Sequence, residues 1–157
     1  MAVPSAPDPD LLRFLAVLRS LWGEDLVSVV LFGSRARGEA GAGSDTDLLV
    51  IRGGFPGSRL ERHREVFSAA RSVSDEFAAR VSVVPLTPQE AKETKPFYLG
   101  MLSGHAILHD REDFFRDVLR RLEARLRELG AERRVDADGY EYWVLKKDLR
   151  PGEAVEV

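Results

Sequence analysis

Two apolar runs, 27–32 and 46–51, stand close together in the chain, and what lies between them limits what this protein can be. The first, Val27 to Phe32, is interrupted only by Ser28 and is rich in β-branched side chains, so it reads as a buried strand. Gly33 ends it. Ser34 can then cap a short helix through Arg35, Ala36 and Arg37, whose free N–H groups and positive dipole end face whatever lies beyond the strand. An anion fits such a place: glycine lets it approach the backbone, and Arg35 and Arg37 add charge-assisted donors.

The second run, Thr46 to Ile51, opens with Asp45 and Asp47 at i and i+2. Alternation along a strand puts both carboxylates on one face, about 7 Å apart. Two clustered carboxylates repel and raise at least one pKa unless a cation neutralises them. Oxygen donors of this kind suit magnesium or manganese, which keep water and substrate phosphates in the remaining positions.

Written out, the pattern is Gly33-Ser34, ten residues, then Asp45-x-Asp47, with Ala36-x-Gly38 in the spacer and Ser44 before the first aspartate. This resembles the signature of the DNA polymerase β-type nucleotidyltransferase superfamily, and within it the minimal nucleotidyltransferases (MNT). The resemblance is dense from about Val29 to Ile51, thins toward Leu86 and is only architectural beyond. It implies that Gly33 and Ser34 contact the phosphates of ATP or another nucleoside triphosphate, with Arg35, Arg37 and Ser44 as further nucleotide-binding residues. It implies that Asp45 and Asp47 are the catalytic residues and hold Mg2+ or Mn2+. The activity implied is transfer of a nucleoside monophosphate, AMP from ATP most simply, to a hydroxyl. Small members of the family often act on a partner toxin, so the acceptor is expected on a helical protein partner, this chain then being the antitoxin of a pair, on an RNA end or on a small molecule.

The family usually carries a third carboxylate on a neighbouring strand. The corresponding strand here, 80–86, has Ser82 at that position, and a hydroxyl neither ligates a metal as a carboxylate does nor acts as a base near neutral pH. Three readings stay open: an acid from the preceding helix, Asp75 or Glu76; a base from substrate or partner; or a weak or silent nucleotide-binding module that neutralises a partner by contact.

The rest of the chain supports an α/β (α+β) fold, a mixed sheet backed by helices. Asp8-Pro9-Asp10 opens a helix with Leu11, Leu12, Leu15, Leu18 and Leu21 on its apolar face. Residues 58–80 read as one long helix burying Leu60, Val66, Phe67, Ala70, Val73 and Phe77, and Thr87-Pro88-Gln89-Glu90 opens another. His105 to Leu108 reads as an edge strand, Asp110 to Leu129 as an amphipathic helix, and Asp138-Gly139 as the turn of a hairpin-like tail. The expected organisation is therefore a nucleotidyltransferase-like domain over 1–109, with a C-terminal helix and tail over 110–157 packed on it. The apolar side of that helix docks on the core by default; it also leaves room for homo-oligomer formation.

A net charge of −3, from 23 basic and 26 acidic residues, argues against broad electrostatic binding of nucleic acid. With no cysteine, no basic leader and no membrane-length apolar run, a cytoplasmic protein is expected.

Overall fold

A computed structural model describes residues 8–41 and 44–157. Helix α1 (Pro9–Trp22) starts where the Asp8 side chain accepts from the Asp10 N–H, and it leads into β1 (Leu26–Phe32). The short α2 (Gly33–Ala36) follows at once, then β2 (Thr46–Arg52), α3 (Arg59–Val73), α4 (Asp75–Arg80) and β3 (Val81–Leu86). Next come α5 (Pro88–Lys92), α6 (Pro96–Met101), β4 (Ala106–Asp110) and α7 (Phe114–Leu129). The chain ends in a hairpin of β5 (Glu132–Val135) and β6 (Glu141–Val144). No described helix is long and apolar enough to cross a membrane.

Strands β3, β2, β1 and β4 lie side by side in that order, with β2 and β3 parallel and the other pairs antiparallel. Both faces are covered. On one, Val29, Leu48 and Val50 pack against Phe14 and Leu18 of α1, Val66 of α3 and Phe77 of α4. On the other, Val30, Leu49 and Ile51 meet Tyr98 and Met101 of α6 and Phe115 and Leu122 of α7. The apolar side of α7 thus docks on the core, and Trp143, Leu145 and Val157 of the tail pack against the same cluster. The end of β1 and the beginnings of β2, β3 and β4 all lie at one rim of the sheet.

Several local expectations need correction. The helix over 58–80 is two helices: Ser74 has an extended backbone (φ −168°), and its hydroxyl accepts from the Phe77 N–H at 3.0 Å, starting α4. No Gly or Pro marks the break, because a capping serine does the same work with a side-chain acceptor. Leu60 and Phe67 are more than half exposed, as is Leu21, while Leu12 is nearly so; Phe14 takes the place of these last two in the α1 core face. Ser34 is not a helix cap: α2 begins at Gly33, and Phe32 precedes it with no side-chain cap. The helix expected from Asp110 starts regularly only at Phe114, after Glu112 and Asp113 adopt positive φ.

Asp110 instead ties that start to the sheet. Its carboxylate accepts from the Ser28 hydroxyl (2.6 Å) and from the N–H groups of Phe115 (2.9 Å) and Arg116 (3.1 Å). Asp110→Ala is expected to cost about 2 kcal/mol, since it removes the acceptor of a fully buried hydroxyl and two helix-start donors together. Urea denaturation of the variant against wild type measures this.

Candidate functional site

The rim where β1 ends and β2 begins brings Gly33 and Asp47 into contact. Phe32 and Asp47 are partners in the antiparallel pairing, so the residue after Phe32 turns directly over the Asp47 side chain. Gly33 has φ +73°, and a Cβ there would stand 2.2 Å from Asp47 Oδ2 and 3.1 Å from its Cγ. Only glycine leaves room for that carboxylate. The first turn of α2 follows immediately, and its leading N–H groups have no acceptor within the helix.

Asp45 is exposed just before β2, and Asp47 is half-buried as its second residue, with buried Thr46 between them turned toward the opposite face. Asp47 shares its parity with Leu49 and Ile51, which places it on the face covered by α6 and α7. Its pKa lies above the usual carboxylate value, first through burial and then through the charge of Asp45, with Arg37 pulling it back. That guanidinium is paired elsewhere, its Nε donating to Glu39 at 3.1 Å. Among the described residues, no cluster of three or more His, Cys, Asp or Glu side chains is placed to hold a metal ion. Asp45 and Asp47 could offer a cation two carboxylates, and a cation there would offset the burial and the Asp45 charge that raise the Asp47 pKa. Such a set fits magnesium, which takes one or two carboxylates and completes its shell with water and phosphate oxygens.

The other expected site residues divide. Arg35 donates from Nε (3.2 Å) and Nη2 (2.7 Å) to the Ser44 carbonyl, so it bolts α2 to the segment entering β2. The Ser44 hydroxyl accepts from the Gly41 N–H at 3.0 Å and closes that loop. Ser34 lies within α2, and its carbonyl accepts from the Glu39 N–H. Ser82 is the in-register partner of Asp47 on β3 and is exposed, so it stands beside that carboxylate on the same face. Asp75 is drawn away, accepting from Arg71 Nε at 3.1 Å at the far end of α4 from β3.

Two neighbours were not singled out in the sequence as part of this site. Phe97 of α6 stacks on Phe32 with ring centroids 5.4 Å apart, giving the rim an apolar wall on the Asp47 face. Gly104 packs against Arg37: a Cβ would come within 3.0 Å of Arg37 Cγ and 3.5 Å of the Ala36 carbonyl. The only sequence signal for either is an aromatic and a glycine flanking a short helix, which is common in cores.

Comparison with known proteins gives the family. The profile described as "Nucleotidyltransferase domain" matches residues 11–100. A "Putative protein adenylyltransferase" of Methanocaldococcus jannaschii is 34% identical over 113 residues, covering 71% of this chain and 77% of that protein. Among solved structures, a toxin–antitoxin with AMP-PNP superposes with a TM-score of 0.50 at 15% identity, over 78% of this chain and 94% of its own. A mutant of the toxin–antitoxin MntA-HpeT gives 0.51 at 14% identity, over 75% and 87%. With the profile spanning more than half the chain and the glycine turn set against the paired aspartates, this protein belongs to the nucleotidyltransferase domain family and has the minimal nucleotidyltransferase fold of the polymerase β superfamily.

Proposed function

We propose that this protein transfers AMP from ATP to a hydroxyl on a partner protein, in the manner of an antitoxin modifying its toxin. The observation that carries the proposal is the packing of the Asp47 carboxylate against the bare Cα of Gly33. It sets the glycine turn after β1 against one of the two carboxylates, a juxtaposition that supports phosphoryl chemistry over a purely structural turn. The name of the archaeal relative supports adenylyl transfer to protein, and the toxin–antitoxin neighbours support a protein partner.

Each residue has a part. Gly33 and Ser34, with the N–H groups of α2, would bind the terminal phosphates, and Arg35 would keep the loop to Asp45 in place. Asp45 and Asp47 would hold Mg2+ or Mn2+, which supplies charge neutralisation as pyrophosphate departs. Arg37, held by Gly104, adds positive potential beside Asp47. The acceptor oxygen forms a bond to the α-phosphorus, the bond from that phosphorus to the bridging oxygen breaks in line, and the hydroxyl proton passes to solvent water.

Ser82 favours a second reading, a module that binds nucleotide and partner without turnover, because no described carboxylate stands in register beside Asp47 on β3. Incubation with ATP, CTP, GTP or UTP labelled at the α-phosphate, with magnesium and a lysate of the source cells, separates the two. Transfer is expected from ATP to a discrete protein band and is expected to vanish with EDTA. Saturable nucleotide binding with no labelled product would establish the silent module instead.

A further inference from the structure

The outer edge of β3 has no strand paired to it among the described residues, and that edge borders the candidate site. Edge strands are ordinarily shielded by charge, bulges or proline. The segment Val81-Ser82-Val83-Val84 carries no charge, and its register with β2 runs without a bulge. Proline appears only at Pro85, so the blocked half of the strand is the half away from Asp47. The unblocked half is the one beside it.

The two faces of this edge offer different chemistry. Val81 and Val83 point to the α3 side, where with Val66 and the half-exposed Phe67 they line a groove of about 300 Å³. His63 and Arg64 complete its wall, and no carboxylate lines it. Ser82 points to the other face, in register with Asp47. An extended segment added to this edge would alternate in the same way, one residue into the groove and the next over Ser82 toward the carboxylates.

The geometry points to β3 as the docking edge for the acceptor, an extended segment of the partner protein that pairs with Val81–Val84. It would place small apolar residues in the groove, acidic residues against Arg64 and His63, and its hydroxyl-bearing residue beside Ser82. This rests on the transferase reading above and specifies how its acceptor is presented. A polar, uncharged residue at position 82 then has a purpose: it leaves the space beside Asp47 open to an incoming side chain. The groove is apolar with Arg64 at its wall, and that charge selects against segments of like charge.

The test uses a fluorescein-labelled peptide, Asp-Gln-Val-Tyr-Val-Gln-Asp, whose Asp and Val positions share one face and whose Tyr lies on the other. Fluorescence polarisation without nucleotide is expected to show binding to the wild-type protein. Arg64→Glu is expected to weaken it at least about tenfold, and replacing the peptide's Asp by Lys to restore binding to that variant. Phe67→Ala gives a second, independent loss; both side chains are exposed, so neither change threatens the fold. Because the chain has no cysteine, Ser82→Cys creates a single thiol, expected to exchange with a peptide whose Cys at the Tyr position is activated as the thionitrobenzoate mixed disulfide, releasing thionitrobenzoate, and to exchange poorly when the activated Cys is at either neighbour. Docking at β3 is overturned if wild type does not bind, if Arg64→Glu binds equally well, if crosslinking ignores position, or if single-stranded RNA displaces the peptide more readily than an unlabelled copy does. A peptide that docks in register and never receives label from ATP defeats the transferase reading and leaves docking intact. Label reaching a protein acceptor as efficiently in Arg64→Glu as in wild type defeats docking and leaves the transferase.

Discussion

Gly33→Ala is expected to silence nucleotidyl transfer as deeply as Asp47→Ala, although it removes no chemical group. The added Cβ would lie 2.2 Å from Asp47 Oδ2, 3.1 Å from its Cγ and 3.3 Å from its Cβ. Rotating the carboxylate tip relieves only the first of these contacts, so the whole Asp47 side chain must leave its position or the turn must move. Either displacement is of the order of an ångström, and misplacement on that scale costs reacting groups about 100-fold in rate. The backbone adds its own penalty, since φ +73° costs an L-residue roughly 1–2 kcal/mol. A single-turnover assay with labelled ATP should therefore show a loss of at least about 100-fold. The melting temperature should fall by only a few degrees, on the order of 2–8 °C for a chain of this size. A Gly33→Ala variant that transfers at the wild-type rate would mean that the turn and the carboxylate do not act together.

The largest effect on stability is expected at the ion pair that joins Glu90 to Arg62, a charged residue buried in helix α3. Its guanidinium forms a two-point pair with Glu90, Nη1 to Oε2 at 2.7 Å and Nη2 to Oε1 at 3.0 Å, and also donates to the carbonyls of Pro56 and Pro85. Glu90 in turn accepts from the Thr87 N–H at 3.0 Å while the Thr87 hydroxyl accepts from the Glu90 N–H, a capping box that starts α5. One side chain thus joins α3, the loop after β2, the end of β3 and the start of α5. Arg62→Ala is expected to cost about 3 kcal/mol, the lower end for a broken buried pair, because Glu90 is partly exposed and regains water. Glu90→Ala should cost more, about 4–5 kcal/mol, because it removes the counter-charge of an almost wholly buried guanidinium and leaves it only the Pro56 and Pro85 carbonyls. Thermal melts of the two variants give the order directly, and equal losses would mean that the pair is solvated.

The same pair sets an acid limit. Arg62 holds the Glu90 carboxylate down at about 2, below its ordinary 4.5. A depressed carboxylate pKa contributes stability that is fully present above the unfolded value and lost as pH falls through the folded one. Wild type should therefore lose this contribution between pH 4.5 and 2. Glu90→Gln should lack that part of the pH dependence.

Much of the site was legible before any coordinates. The two apolar runs, with Gly33-Ser34 after the first and Asp45-x-Asp47 at the start of the second, announced two strands; the structure pairs them and sets Asp47 against the turn at Gly33, while Asp45 lies just before β2. The hydrogen bonds that position the two arginines are not legible in the sequence: Arg35 donates to the Ser44 carbonyl and Arg37 to Glu39, pairings that depend on how the chain folds back after α2.

Local chemistry along the chain determined the strands, the glycine turn, the capping box at Thr87 and the amphipathic α7, because each depends on neighbours a few residues away. Tertiary structure alone decided that Arg62 is buried, since its partner Glu90 lies 28 residues away and nothing in the α3 sequence marks that position as internal. It also decided that Leu60 and Phe67 stay exposed, because only the placement of β3 at the sheet edge shows that no layer of the described residues covers that side of α3. The pairing of Asp47 with Ser82 is of the same kind: a one-residue change in register would turn the serine to the opposite face, and register is fixed by packing over the whole sheet rather than by either strand.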